Sequence, residues 1–233
     1  MKKSVLLVAA LLFSLPLFAD SKNIVYNESF EFSQIDSLEI LLSYENLKIS
    51  QIYGDEIVVE IGSNNIKKIP EVTLEQDELY STLKISTTAK KVLLGTNCTV
   101  YLYLPQDFLA DQMSISLVSG NLQADILRSQ NALFVNNISG RTDISESTTE
   151  YLKASSASGN IKMQKLSASY FEMDSISGNI FIELEKAIEA KSRITSVSGK
   201  IQVYYKKNES PFSDDSPDFI ISSVSGKTET IAY

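Results

Sequence analysis

Ile176-Ser177-Gly178-Asn179-Ile180 is one of six versions of a single phrase in the second half of this 233-residue chain. The others are Val118-Ser119-Gly120-Asn121-Leu122, Ile138-Ser139-Gly140-Arg141-Thr142, Ala157-Ser158-Gly159-Asn160-Ile161, Val197-Ser198-Gly199-Lys200-Ile201 and Val224-Ser225-Gly226-Lys227-Thr228. The six glycines follow one another at intervals of 20, 19, 19, 21 and 27 residues. A unit of that length cannot bury an apolar face alone. A fixed period near 20 residues is therefore the mark of a solenoid whose coils cover one another.

Aligned on the glycine, apolar residues recur at −7, −5, −2, +2 and +4. The −5 set is Ile115, Val135, Ala154, Met173, Ile194 and Ile221; the +2 set is Leu122, Thr142, Ile161, Ile180, Ile201 and Thr228. Steps of two are strand periodicity, with alternate side chains facing one interior. All five positions are read as inward-facing. The three-residue interval from −5 to −2 then requires a corner or bulge. Gly120, Gly140, Gly159, Gly178, Gly199 and Gly226 are read as structural turns with φ > 0. Facing outward at −6, Lys153, Glu172 and Arg193 are expected to stack as a ladder of alternating sign. The −3 serines Ser156, Ser175, Ser196 and Ser223 are placed in a second outward column. The fold class expected is all-β: a single-stranded parallel β-solenoid, β-helix-like, with right-handed coils of ~20 residues.

Strand patterns continue toward the N-terminus with less regularity, at residues 37–40, 47–49, 56–61, 79–86 and 100–104. Tyr44-Glu45-Asn46-Leu47-Lys48-Ile49 reads as a worn copy of the phrase, with Glu45 at the glycine position. Residues 20–112 are thus expected to be irregular N-terminal β coils and a cap, continuous with regular repeats over 113–233. The helix-forming run Glu183–Arg193 sits in phase with the repeat and is read as a longer return loop or one short turn. Residues 206–218, with two prolines, form a surface loop whose Asp214, Asp215 and Asp218 lack the spacing of a calcium site.

The chain opens with Met1-Lys2-Lys3, an apolar run over Val5–Phe18, and Ala19, the pattern of a secretory signal peptide over residues 1–19 cleaved after Ala19. Removing Lys2 and Lys3 leaves 19 basic against 29 acidic residues, a net charge of −10. That balance opposes nucleic-acid binding, which depends on neutralising phosphates. No later stretch could span a membrane, so the mature product is expected to be exported to the periplasm, the cell surface or the medium. Histidine and tryptophan are absent. Histidine-based nucleophilic catalysis and histidine-ligated metal sites are excluded with them; no metal, cofactor or catalytic residue is assigned. Cys98 is the single cysteine, in an alternating run that marks it as a buried hydrophobe.

The leader, the β-rich lead-in Val100-Tyr101-Leu102-Tyr103-Leu104-Pro105 and the Ser-Gly-Asn/Lys-Ile phrases together resemble the bacterial putative-adhesin family of exported β-solenoid proteins. The resemblance covers roughly residues 36–231. It implies a stacked-coil fold and a cell-envelope location, and it brings no catalytic residues. Thr142 and Thr228 depart from it, standing where an aliphatic residue is usual.

The function expected is a non-catalytic envelope protein, adhesin-like, binding a glycan or another envelope protein through the solenoid flank. Tyr151 and Tyr170, each eight residues before its glycine, are the candidate ligand contacts. One alternative is a structural or sensing component of the envelope. Another is a polysaccharide-active enzyme on a β-helix scaffold. Asp125, Asp143, Asp174, Glu183 and Glu185, its candidate carboxylates, occupy scattered phases of the repeat.

Overall fold

The structure, a computed structural model, describes residues 23–66, 69–77, 80–87, 97–185, 192–206 and 219–232. The leader, the centre of the 183–193 run, the Asp214–Asp218 loop and Tyr233 lie outside the described residues. Regular structure among the described residues is β throughout, apart from one 3-10 turn at Phe32–Gln34.

Three long strands each make nearly a whole coil: β9 (Leu122–Asn137), β10 (Thr142–Ser156) and β11 (Ile161–Ser175). They stack parallel and in repeat register. Thr142 lies between Leu122 and Ile161, and Ala154 between Val135 and Met173. Beyond them the chain continues as two columns. On one side β11 is followed by β12 (Ile180–Leu184), β14 (Ile201–Tyr205) and β16 (Thr228–Ala232). On the other it is followed by β13 (Ser192–Ser196) and β15 (Phe219–Ser223). Every one of these pairings is parallel, as a solenoid requires.

The N-terminal end closes differently. β8 (Ala110–Leu117) and β9 stack on β2 (Ser37–Leu42) and β3 (Asn46–Ile52), so the 37–52 segment is a true coil. Outside it lies a later coil formed by β6 (Ser81–Ser86) and β7 (Cys98–Pro105). Antiparallel strands finish the end: β4 (Glu56–Ser63) on β7, β1 (Ile24–Glu31) on β4, and β5 (Glu71–Gln76) on β6. The chain therefore winds outward before it returns to build the regular rod. Glu28 and Glu31 on β1, with Glu71 and Glu75 on β5, charge this closed end. Charged edge strands discourage sheet-to-sheet association.

The corner at each glycine departs from the sequence expectation in three ways. The inward positions before it are −7, −5 and −3, an unbroken alternation, with no bulge between −5 and −2. Ser156, Ser175 and Ser196 at −3 are buried, whereas the −2 residues stand outside. Ile176 is 58% exposed, Val197 46%, Ile138 44% and Val118 42%. The −3 side chain turns inward because it closes the turn. The N–H groups of Gly159, Gly178 and Gly199 donate to the hydroxyls of Ser156, Ser175 and Ser196 at 2.8–2.9 Å. Asn137 does the same for Gly140 at 3.0 Å through its side-chain oxygen.

The third correction concerns the glycines themselves. None of the six has positive φ; among the described glycines only Gly54 does, at 128°. Their requirement is steric. A Cβ on Gly140 would overlap the carbonyl oxygen of Gly120. The same holds for Gly159 over Gly140, Gly178 over Gly159, Gly199 over Gly178 and Gly226 over Gly199. The carbonyl carbon beneath would lie 2.6–2.9 Å from each such Cβ. Backbone packs on backbone, and no side chain fits between. Glu45 starts this row, its own carbonyl lying under Gly120. Its buried carboxylate accepts from the N–H groups of Ser43 and Tyr44 and from the Thr87 hydroxyl, each at 2.9 Å.

The core is a file of aliphatic side chains, among them Leu47, Ile49, Leu122, Ile144, Met163 and Ile182, all essentially buried. Each fully buried one contributes roughly 1.5–3 kcal/mol before entropy is counted. The inward phase slips by one between Ala124 and Leu127, and the alternation is interrupted between Ser129 and Leu133, where Asn131 is exposed. The β9–β10 register shifts at the second of these places, between Thr148 and Tyr151. Polar groups share the interior there: the buried Ser129 hydroxyl donates to Thr149 Oγ1 at 2.9 Å. Ser147, stacked between Leu127 and Leu166, carries the one buried side-chain polar atom without a partner among the described residues.

Gly159→Ala is expected to lower stability by about 1–3 kcal/mol in denaturant unfolding, because neither backbone can yield without breaking the stack. Ser147→Ala is expected to be neutral or to stabilise by up to about 1 kcal/mol, since it removes a desolvated hydroxyl that has no bond to lose. The same unfolding curves read both.

Candidate functional site

The flank carrying Tyr151 and Tyr170 is the outer face of the column through β9, β10, β11, β13 and β15. Strand alternation turns the residues at −8, −6 and −4 outward there, and parallel register puts equivalent residues side by side. Tyr151 and Tyr170 are direct register partners. Their rings stack with centroids 4.6 Å apart and planes 21° from parallel. Phe134 meets the other side of Tyr151 edge-on at 5.9 Å. Repeat phase alone does not reveal Phe134, because Ala132 is the residue opposite Tyr151. The long ring arrives from the −6 row by a diagonal contact.

This arrangement fixes what the tyrosines present. Their displacement runs along the rod axis, so their faces look at each other and their edges look at solvent. A sugar ring cannot lie flat across both. Burial, and then the charge of Glu172, hold the Tyr151 phenol above the ordinary tyrosine range. Glu172 lies between Lys153 at 3.3 Å and Arg193 at 3.7 Å, and Arg193 also reaches Asp174 at 3.6 Å. The −6 ladder thus forms with the predicted alternation. Being exposed, each of its pairs contributes no more than about 1 kcal/mol.

A second aromatic pair occupies the other column: Phe181 and Tyr204, centroids 5.0 Å apart, with the Lys162 ammonium 5.9 Å from the Phe181 ring. At the corner, the Asn side chains at +1 form a further ladder. The side-chain oxygen of Asn121 accepts from Arg141 N–H, that of Asn160 from Asn179, and that of Asn179 from Lys200, each at 2.9 Å. The polar groups along these surfaces are engaged with the neighbouring coil.

The five candidate carboxylates separate into two sets. Asp143 binds Arg141 at 2.7 Å, Asp174 faces Arg193, and Glu185 binds Lys206 at 2.7 Å. Asp125 and Glu183, by contrast, line one open groove with Ser145, Glu146, Gln164 and Lys165. They stand in one column, three coils apart, roughly 14 Å at strand spacing. That exceeds the ~5–10 Å separation used by glycosidases. Glu146 lies between them and faces Arg128 at 3.6 Å. Lys165 at the groove's edge has left-handed backbone, φ 44°. Among the described residues no cluster of three potential metal ligands occurs, and no helix is long and apolar enough to cross a membrane.

Cys98 is buried, and that burial, aided by the nearby Glu45 charge, pushes its thiol up to about 11. Tyr103 is driven to about 12, by burial first and then by Glu60, to which its hydroxyl donates at 3.2 Å.

Rod, corner row and laddered flanks define a protein of the stacked-coil β class. The chain belongs to the Toastrack DUF4097 family, whose sequence profile matches residues 35–226. Among solved structures it is similar to a "putative adhesin" from Bacteroides fragilis NCTC 9343, at 15% identity and a TM-score of 0.51. That match covers 91% of this chain and 98% of the other. A "putative cell adhesion protein" from Clostridium sporogenes ATCC 15579 shares 15% identity at a TM-score of 0.43, over 88% and 98% of the two chains. A "putative lipid binding protein" from Parabacteroides distasonis ATCC 8503 shares 16% at 0.41, over 88% and 96%. At 15% identity the likeness to the Bacteroides fragilis protein is one of fold. No curated protein matches the chain in sequence.

Native protein at pH 8 is expected to resist thiol-specific labelling at Cys98 for far longer than the denatured chain. The folded state keeps a proton there that the unfolded chain releases above about 9. This group's contribution to stability is therefore full below about pH 9 and falls as pH rises toward 11. Labelling rates followed by mass spectrometry, together with melts over that pH window, check both statements.

Proposed function

We propose that the protein is a non-catalytic exported component of the bacterial cell envelope that binds a partner along the flank of its rod. Family membership, the stacked-coil fold and the leader over residues 1–19 support this reading, with cleavage after Ala19 giving the exported form. The observation that carries it is the Phe134–Tyr151–Tyr170 stack, an aromatic strip left part-open on a flat, rigid flank and bordered by the Lys153–Glu172–Arg193 ladder. The ring geometry favours contact through the tyrosine edges and hydroxyls. The partner is a glycan or another envelope protein that runs along the rod, meeting successive coils about 4.8 Å apart.

A structural role is the second reading. What favours it is the pairing of the flank's own charges, which leaves the ladder satisfied without a ligand. The two readings separate in one experiment on the exported form, using a glycan array and a pull-down from envelope fractions. The double variant Tyr151→Ala/Tyr170→Ala is expected to weaken binding by about thirtyfold, the weight of a central aromatic anchor, with an unchanged thermal melt. Tyr170→Phe should lose part of that affinity if the hydroxyl edge makes the contact. Equal binding by the double variant and the parent protein would reject these residues as the contact. Absence of any ligand in both screens would favour the structural role.

A further inference from the structure

The groove lined by Asp125, Ser145, Glu146, Gln164, Lys165 and Glu183 owes its existence to a break in register, and has a volume of about 310 Å³. β10 and β11 pair as far as Ile144 and Met163 and resume at Ser147 and Leu166, with two residues of each strand left between. On its other side β11 sets two residues, Gln164 and Lys165, against the single Glu183 of β12. That count is a β-bulge, a device that re-aims side chains and is frequent beside functional sites. Lys165 lies in the bulge with φ 44°, a conformation that glycine adopts freely and lysine does not.

Polar side chains elsewhere on the rod bond to the neighbouring coil. Lys153 meets Glu172, the Asn160 side chain accepts from Asn179 N–H, and Gln202 donates to Glu229 at 3.1 Å. The groove is different. Among the described residues Asp125, Ser145, Gln164 and Lys165 make no side-chain hydrogen bond or ion pair, although they come from three adjacent coils and face one concavity. Immediately beyond it the column passes from Glu183 to its register partner Tyr204, whose ring packs on Phe181. A run of uncommitted donors and acceptors thus ends at an aromatic pair.

We propose that this groove binds a neutral glycan chain lying along the rod, at a site separate from the Tyr151–Tyr170 strip. The donor and acceptor inventory selects the ligand. Asp125 only accepts, Lys165 only donates, and Ser145 and Gln164 do both. Sugar hydroxyls, each a donor and an acceptor, satisfy all four without carrying charge. An acidic glycan is disfavoured, because the lining sets three carboxylates against one lysine. An extended peptide is disfavoured too. It needs a free sheet edge or apolar pockets, whereas β10 and β11 are paired on both sides and Ile126 is the groove's one apolar lining residue. The volume sits at the lower end of the range of about 300–1,000 Å³ that small-ligand sites occupy. It therefore holds a short stretch of the chain, with the next ring against Tyr204. The carboxylate spacing that argues against hydrolysis is no obstacle to binding. This assignment goes beyond the flank reading and holds whether or not that strip has a ligand of its own.

The test is an NMR titration of the isotope-labelled exported form. The neutral probes are cellotetraose, tetraacetylchitotetraose, maltotetraose and mannotetraose; tetragalacturonate and tetralysine are the charged ones. At least one neutral tetrasaccharide should shift the amide signals of Ser145, Gln164, Lys165 and Glu183 to saturation. Ser145→Ala should weaken that binding by about threefold and Asp125→Ala by about twentyfold, the weights of a neutral and a charged hydrogen bond. Lys165→Gly should weaken it by about tenfold while the thermal melt stays level or rises, because glycine relaxes the left-handed turn. Tyr151→Ala/Tyr170→Ala should bind the sugar as the parent does. No shift with any neutral probe overturns the proposal, and so does binding indifferent to Asp125→Ala and Ser145→Ala. Stronger binding of tetragalacturonate or tetralysine overturns the ligand class. Loss of the sugar in the double tyrosine variant alone would assign the glycan to the flank and reject the groove.

Discussion

Along one row of corners, from Glu45 to Gly226, a peptide carbonyl rests against the glycine of the following coil with no side chain between them. That contact sets the architecture. Two backbones can approach so closely only where the residue facing the carbonyl lacks the Cβ that would separate them. The glycines must therefore recur in every coil and must align. Once they align, strands on either side are held at hydrogen-bonding distance, and the inward positions at −7, −5, −3, +2 and +4 fall over one another without further instruction. The −3 hydroxyl, or the Asn137 side chain in its place, then occupies the glycine N–H, a group that the sharp turn would otherwise leave buried and unpaired.

The same constraint explains the distribution of tolerance around the coil. Thr142 and Thr228 replace aliphatic residues at +2, yet Thr142 is fully buried, and its hydroxyl accepts from the Asn137 side chain at 3.3 Å. Ser192 replaces a large residue at −7, and its hydroxyl accepts the Phe171 N–H at 3.0 Å. Side-chain content is negotiable where a local bond can be found. The glycine is not negotiable, since a backbone carbonyl cannot move aside as a flexible side chain can. At the far N-terminal corner Glu45 holds the equivalent position, and there a carboxylate ties the turn to Thr87.

Much of this was legible in the chain. Period, strand phase, the sign-alternating ladder and the pairing of Tyr151 with Tyr170 all follow from aligning six phrases, because parallel stacking converts equal phase into spatial contact. Reading failed at the corner, for a definable reason. Val, Ile and Ala at −2 look like core residues, whereas Ser at −3 looks like surface. The turn inverts both, since a hydroxyl was needed inside to bond the glycine N–H. Composition could not reveal that a glycine was selected by a neighbouring coil's carbonyl rather than by its own torsion. The order of the N-terminal coils was hidden too, because Ser37–Ile52 carries a repeat-like pattern whether or not another coil lies outside it. For the flank, the sequence gives proximity but not ring orientation, and orientation decides whether a sugar can stack.

The most direct measurement removes one whole coil. Deleting residues 160–178 joins Gly159 to Asn179 and leaves every corner one step from an equivalent corner. If glycine-on-carbonyl stacking governs the fold, the shortened protein will keep its β circular dichroism and a single cooperative unfolding transition, with a denaturant slope reduced in proportion to the surface lost. Deleting residues 160–169, which breaks phase, will abolish that transition. Loss of folding in the whole-coil deletion, or equal tolerance of both, would contradict it.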